Sequence, residues 1–385
     1  MTEQSTRMLL SGNHAVSWGV KLARPGVSPV YPITPQTPIL EKLTEFHSRG
    51  ELDTEMLTPE SEHSAMAACI SASLTGARVF TATSSQGLLL MHELLHYASG
   101  ARSAIVMFNV NRTPASPWGF WPDQLDSLSQ RDTGWVQIYS ESPQESLDTV
   151  IQAFRIAETL SIPTMICHDA FYVSHSVEQV EVPDQSMVDD FLPAYKPALK
   201  LDMETGQSFG APIDQATWNR SRQEMAFAMA GVEACVNETG AAWGEMTGRG
   251  YGALESYKME GADVALVTLG SMSGTARDAV DALREQGVKA GLLKVRLLRP
   301  LPLESLRREL AGVSSAIVLD RNYSPGMGGI LHQELKSALY GMADAPKVHG
   351  LLAGVGGVNV PSSKIQQLVM DYKDANPSPE SQWVE

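Results

Sequence analysis

Cysteine is scarce. The 385 residues hold three, Cys69, Cys167 and Cys235, far apart and with no CxxC pair. Iron–sulfur ligation needs thiolate sets at short spacing, so this chain by itself is not expected to carry a cluster. A disulfide framework is not expected either, and each cysteine reads as a small buried apolar residue. Lysine- and arginine-rich runs are missing and the net charge is −15. A nucleic-acid surface needs clustered positive charge and is therefore not expected. No apolar run is long enough to span a bilayer. The start MTEQSTRMLLSGNHAV lacks the charged-then-apolar pattern of a secretory signal, so a cytoplasmic location is expected. The Rossmann, Walker, HExxH and GxSxG patterns are all absent, as is any internal repeat.

What is present is organised around residues 56–112, where the hydrophobic period switches several times. The spacing predicts a small-residue helix over 60–74, a strand at 78–83, a polar turn at 84–87, a helix at 88–97 and a fully buried strand at 104–110. Strand–helix–strand order implies a parallel sheet. Ligands of such sheets collect past the carboxyl ends of strands. Glu62, in the first turn of a helix of small residues, and Arg112, directly after a buried strand, stand at such places. Position alone leaves both open. Glu62 also fits an acid favoured by a helix dipole, and Arg112 also fits an interface arginine.

Upstream, 8–23 reads as a turn and a helix, with Gly19 marking close packing. A short strand at 28–31 runs into Pro32-Ile33-Thr34-Pro35-Gln36-Thr37-Pro38, too proline-rich to be regular. A helix follows over 39–46. Downstream, Trp118, Phe120 and Trp121 crowd a loop, which suits an interface or an apolar pocket wall. Strands are expected at 136–139 and 164–168. Ser142 and Glu145 form a capping box for the helix between them. Residues 176–218 read as an extended arm of a kind that is often interfacial. From 262 a second α/β unit follows, with strands at 263–269, 290–295, 315–319 and 347–352. Its glycine turn at 270–275 is a weak candidate for phosphate binding.

Taken together, YPITPQT at 31–37, ESEHSA at 60–65, TSSQGLLLM at 83–91, Asn111-Arg112 and RDTGW at 131–135 resemble one family. It is the α subunit of the thiamine-diphosphate-dependent 2-oxoacid:ferredoxin oxidoreductases, of the pyruvate synthase type. The likeness covers nearly the whole chain. It implies an α/β fold: a thiamine-diphosphate-binding, pyrimidine-type parallel-sheet domain over 1–250, including the arm at 176–218. A smaller, transketolase-C-terminal-like α/β domain over 260–385 would follow.

The implied chemistry is oxidative decarboxylation of a 2-oxoacid to CO2, acyl-coenzyme A and two electrons. Glu62 matches the glutamate that hydrogen-bonds the aminopyrimidine ring. Thr34 and Arg112 match the residues that bind the substrate's carbonyl or carboxylate, with Arg112 bidentate if geometry allows. Tyr31, Pro32 and Gln86 fall in the same motifs and are expected beside the cofactor. No Gly-Asp-Gly diphosphate motif is present. The resemblance thus implies a β partner bringing Mg2+, the diphosphate site and a [4Fe–4S] cluster, with further γ/δ-type subunits, and ferredoxin or a flavin subunit as acceptor. A dimer of such hetero-oligomers is expected, and no metal on this chain.

One departure concerns the pattern W-x-D-H-S-D. Here Trp121-Pro122-Asp123-Gln124-Leu125-Asp126 stands in its place, with Gln124 for histidine and Leu125 for serine. A site altered close to the substrate is one reading, and with the aromatic loop it points to a bulky or aryl 2-oxoacid such as phenylglyoxylate. Packing on a partner is the other reading. Pyruvate is favoured slightly, and 2-oxoglutarate ranks lower for want of a second cation. Competing classes are a thiamine enzyme without redox chemistry and a non-catalytic scaffold.

Overall fold

The computed structural model describes residues 5–384. Its strands are β1 (Ser5–Ser11), β2 (Val27–Pro29), β3 (Glu55–Leu57), β4 (Val79–Thr83), β5 (Ile105–Asn111), β6 (Val136–Tyr139), β7 (Thr164–Asp169) and β8 (Val177–Pro183). These are followed by β9 (Leu254–Tyr257), β10 (Val264–Thr268), β11 (Ala290–Val295), β12 (Leu297–Arg299), β13 (Ser315–Asp320), β14 (Lys347–Leu352) and β15 (Gln382–Trp383).

A seven-stranded sheet runs β12-β6-β7-β5-β4-β2-β3. All its neighbours are parallel except β12 on β6. β4 (VFTAT) and β5 (IVMFNVN) are buried at every residue. Near-continuous apolar runs of that kind require helices on both faces. Gly12–Ala23 and Pro143–Leu160 cover one face and bury Val16, Val20, Val150 and Phe154 against Phe80, Val106 and Phe108. Gly19 is required where these helices meet, because a Cβ there would lie 2.7 Å from the Leu147 carbonyl oxygen.

A second sheet runs β15-β14-β13-β10-β11-β9, parallel apart from β9. The two sheets share one apolar cluster, from Met107 of the first with Cys69 and Trp135 packed beside it, to Val267 and Leu293 of the second with Leu335 packed beside them. β12 follows β11 of the second sheet by one residue, yet it pairs with β6 of the first.

Three expectations are corrected. Residues 84–87 are not a polar turn, since the helix Ser85–Leu90 begins there with Ser84 as its cap. Residues 8–10 are in β1, which pairs antiparallel with β8. The segment 176–218 holds β8 and the helix Gln185–Phe191, so its irregular part is confined to 192–214. Among the described residues, no helix is long and apolar enough to cross a membrane.

Candidate active site

Four segments leave the carboxyl ends of adjacent parallel strands: 30–36 after β2, 58–62 after β3, 84–87 after β4 and 112–126 after β5. Parallel pairing alone brings them to one edge of the sheet, where ligands of open α/β sheets bind. Every site residue expected from the sequence lies on them.

Glu62 opens the helix Glu62–Leu74, and Ser61 caps it by accepting the Ser64 N–H at 3.2 Å. The acid is 7% exposed. Burial pushes its carboxyl above the usual carboxylate range, against the opposing pull of its own backbone N–H. A Cβ on Gly87 would lie 2.5 Å from Glu62 Oε1 and 2.6 Å from Thr83 Oγ1. The absence of a side chain at Gly87 is what lets the carboxylate lie against the β4 loop.

Arg112 is 2% exposed. Its Nη1 donates to the Thr34 carbonyl at 2.7 Å and its Nε to the Gly119 carbonyl at 3.0 Å. The Phe120 and Trp118 rings lie 4.8 and 5.4 Å from its Cζ. Thr34 itself is exposed, Tyr31 is half-buried and Pro32 is exposed. The structure therefore joins Thr34 to Arg112 directly, through the threonine's backbone.

Sequence reasoning missed the residue that ties these loops together. Asp126 is fully buried, and its Oδ2 accepts the Ser85 N–H at 3.0 Å, the Asn109 Nδ2 at 3.1 Å and the Arg112 N–H at 3.2 Å. Its Oδ1 accepts the Ser127 N–H at 2.7 Å. Burial pushes its carboxyl up to about 7, with Asn109 and the backbone donors pulling the other way. Ser85 takes φ +47°, a left-handed conformation that costs a non-glycine residue energy. Its N–H is thereby spent on Asp126 and its hydroxyl on the Thr113 carbonyl at 2.7 Å. The available signal was its place as the last aspartate of the stretch Trp121-Pro122-Asp123-Gln124-Leu125-Asp126 set against W-x-D-H-S-D.

Gln124 is corrected. Its Nε2 donates to Asp169 Oδ1 and the Leu269 carbonyl, each at 3.2 Å, so it bridges the two sheets. Leu125 packs on the shared apolar cluster. The departure from W-x-D-H-S-D thus falls in the junction between the sheets, and the aromatic residues before it are what face Arg112. The turn at 270–275 is also accounted for from within. The Ser271 N–H and hydroxyl donate to Asp169 Oδ2 at 3.0 and 2.5 Å, and Arg321 Nη1 pairs with the same oxygen at 3.1 Å.

Several buried polar atoms of this edge have no partner: Thr83 Oγ1, both amide atoms of Gln86, and Arg112 Nη2. Among the described residues no neighbouring side chain donates to the Glu62 carboxylate. Leaving such groups unmet costs about 1–3 kcal/mol each. A flat heterocycle carrying ring nitrogens and an amine suits that donor and acceptor set, so the residues present fit an aminopyrimidine. No group of three or more His, Cys, Asp or Glu side chains among the described residues is placed to hold a metal ion.

The fold is a parallel α/β fold with a candidate ligand site at the carboxyl edge of its first sheet. Residues 18–240 match the family model for pyruvate flavodoxin/ferredoxin oxidoreductase, thiamine diphosphate-binding. Residues 262–365 match pyruvate:ferredoxin oxidoreductase core domain II. Ketoisovalerate oxidoreductase subunit VorA of Pyrococcus abyssi is 46% identical, over 95% of this chain and 93% of that protein. Pyruvate synthase subunit PorA of Methanothermobacter thermautotrophicus is 42% identical, over 98% and 97%.

Among solved structures, the 2-oxoglutarate:ferredoxin oxidoreductase of Magnetococcus marinus superposes with a TM-score of 0.75 at 19% identity, over 96% of this chain and 66% of that one. A split-gene transketolase gives 0.53 at 13% identity, over 94% and 97%. These two carry the fold alone. The chain belongs to the pyruvate flavodoxin/ferredoxin oxidoreductase family, as the α-type subunit of a multi-subunit 2-oxoacid:ferredoxin oxidoreductase. Thiamine diphosphate is the family's cofactor, and the enzyme works with partner subunits.

Proposed function

We propose that this chain supplies the aminopyrimidine and substrate-carboxylate half of an active site completed by a β subunit. The reaction is CoA-dependent oxidative decarboxylation of a 2-oxoacid. One observation carries the reading: Glu62 and Gln86, in the first turns of two helices, and Thr34 and Arg112, on loops, stand at one sheet edge, with buried polar atoms left unmet there.

Thiamine diphosphate, when bound, supplies the electron sink for decarboxylation. Glu62 holds a proton at the pyrimidine ring nitrogen, and its raised carboxyl suits a proton shared with a heterocycle. Gln86 orients the ring's exocyclic amine. Tyr31 and Pro32 wall the ring. The Arg112 guanidinium binds the substrate carboxylate, and the Thr34 hydroxyl donates to the carbonyl or carboxylate beside it. The loops and the Asp126 hub keep these groups in register without taking part in proton transfer.

Support for partners comes from what this chain's residues do not offer. Mg2+, the diphosphate site and a [4Fe–4S] cluster are assigned to the β subunit. Further γ/δ-type subunits complete the coenzyme A site and pass electrons to ferredoxin or a flavin subunit. The assembly is read as a dimer of hetero-oligomers in the cytoplasm. Relatives are named for both ketoisovalerate and pyruvate, which supports a short or branched aliphatic 2-oxoacid, with a bulky or aryl acid as the alternative.

The test is viologen reduction by the co-purified complex with coenzyme A and a panel of 2-oxoacids, comparing wild type with Glu62→Gln. A loss of about a hundredfold in the variant is expected from a positioned proton-transfer group. Unchanged activity removes Glu62 from the mechanism.

A further inference from the structure

Arg112 is engaged in an unusual way for a carboxylate anchor. A guanidinium offers two edges that can each take a carboxylate bidentately, Nε with Nη2 and Nη1 with Nη2. Here Nε is given to the Gly119 carbonyl at 3.0 Å and Nη1 to the Thr34 carbonyl at 2.7 Å. Nη2 is buried with no partner. Each edge is therefore half taken by a neutral backbone acceptor.

The acceptor on the first edge sits between two aromatic residues. Trp118 and Phe120 flank Gly119 and stack on the guanidinium, yet they stay 71% and 47% exposed. The base of this loop is fastened. The Thr113 N–H donates to the Trp121 carbonyl at 3.1 Å, and the Trp121 ring packs on Phe171 at 5.2 Å. The Gly354–Val358 turn of the second unit closes on Trp121 so tightly that a Cβ on Gly357 would lie 2.5 Å from the tryptophan's own Cβ. The tip is held by Arg112 and by the Thr113 side chain, whose Oγ1 would lie 2.7 Å from a Cβ on Gly119, while its base is held by both units of the chain.

We infer that Trp118 and Phe120 are specificity-determining residues whose placement responds to the substrate. The substrate carboxylate displaces the Gly119 carbonyl from the Nε–Nη2 edge of Arg112, and the released rings close on the side chain of the 2-oxoacid. The Gly119 carbonyl takes a single N–H of that edge, whereas a carboxylate takes two parallel N–H bonds and brings an opposite charge, so the exchange is favourable. The rings offer apolar surface that the methyl of pyruvate is too small to use fully. Isopropyl or phenyl side chains fill it, so this chain favours branched or aryl 2-oxoacids over pyruvate. The inference rests on the reading of Arg112 as the carboxylate anchor.

The experiment uses the complete complex and acids with methyl, isopropyl and phenyl side chains. It measures kcat and KM separately, and measures binding by calorimetry to complex stripped of thiamine. Phe120→Ala and Trp118→Ala are expected to weaken binding and raise KM for the isopropyl and phenyl acids by about tenfold, the worth of one or two lost hydrophobic contacts. Pyruvate should change little, and Phe120→Leu should restore most of the isopropyl affinity.

An equal loss on all acids, or none, overturns the inference. So does loss of partner subunits from the purified variants, which would make the aromatic tip an assembly contact. Arg112→Gln separates the two readings. If it leaves the affinity for every acid intact, the anchor itself is wrong. If it abolishes binding of all while Phe120→Ala is uniform, only the aromatic pair is misassigned.

Discussion

Replacing Glu145 with glutamine is the perturbation whose size the structure defines best. Glu145 lies at the start of Pro143–Leu160, and its side chain is 3% exposed. Its Oε2 accepts from Lys294 Nζ at 2.8 Å and its Oε1 from Arg296 Nε at 2.9 Å. Both cations come from the second unit and are 1% exposed. Burial alone would raise the carboxyl, and the Lys294 and Arg296 charges overcome it and hold it below the usual range. Glutamine keeps the shape and removes the charge. Lys294 then retains Glu255 at 3.3 Å and Glu141 at 3.5 Å, while Arg296 retains the Thr149 hydroxyl at 2.8 Å and the Gly252 carbonyl at 3.4 Å.

Breaking one partner of a buried ion pair costs about 3–5 kcal/mol, and the anions left to Lys294 set the expectation at the low end, about 3 kcal/mol. The assay is urea unfolding at fixed complex concentration, with midpoint and slope both recorded. A depressed carboxylate contributes stability that is present above its unfolded value and lost as pH falls through its folded one. The gap between wild type and variant should therefore be full at neutral pH and close in acid, below about pH 4. A gap under about 1 kcal/mol at neutral pH, in the range of exposed pairs, or a gap that ignores pH, refutes the reasoning.

Glu62→Gln should also change stability. Burial raises the Glu62 carboxyl, so its contribution is present below the unfolded value and lost as pH rises through the folded one. The variant should gain over wild type in mildly alkaline buffer and not in acid, and equal midpoint shifts at both ends would contradict this. Asp126→Asn offers one oxygen where four N–H groups converge. A loss of about 1–3 kcal/mol is expected in denaturant titration, together with a raised KM for the 2-oxoacid. Gly240→Ala would drive a Cβ into the Tyr251 carbonyl oxygen. Its thermal midpoint should fall by the equivalent of about 1–3 kcal/mol with circular dichroism unchanged before the transition.

Much of the fold was legible because its sheets are parallel and buried. Strands 136–139, 290–295 and 347–352 were expected at the bounds found, since the apolar runs there are short and buried. β1 was misread because STRMLLS is largely half-exposed or exposed and pairs only with a distant strand. The serines at 84–85 suggested a turn, and the helix they begin is held by Asp126, a long-range partner that no local pattern reveals.

Glu145 shows the same limit. Ser142 caps its helix as expected, accepting the Glu145 N–H at 3.2 Å, but the Glu145 carboxylate accepts from the Glu141 N–H and the two buried cations in place of closing the box. Glu62, Thr34 and Arg112 were legible as motif positions. That Thr34 would meet Arg112 through its carbonyl, or that Gln124 would join the sheets, depended on tertiary contacts.

The return of residues 297–299 to the first sheet has a consequence for synthesis. Until they leave the ribosome, the outer edge of β6 has its N–H and C=O groups unpaired. An open edge of that kind recruits other strands. A chain cut between 240 and 262 would carry the pyrimidine-binding loops on a sheet lacking its border strand, and would be prone to clump. The nascent subunit cannot present a finished first sheet to its partner until the first two strands of the parallel core of the second unit, β10 and β11, have been translated.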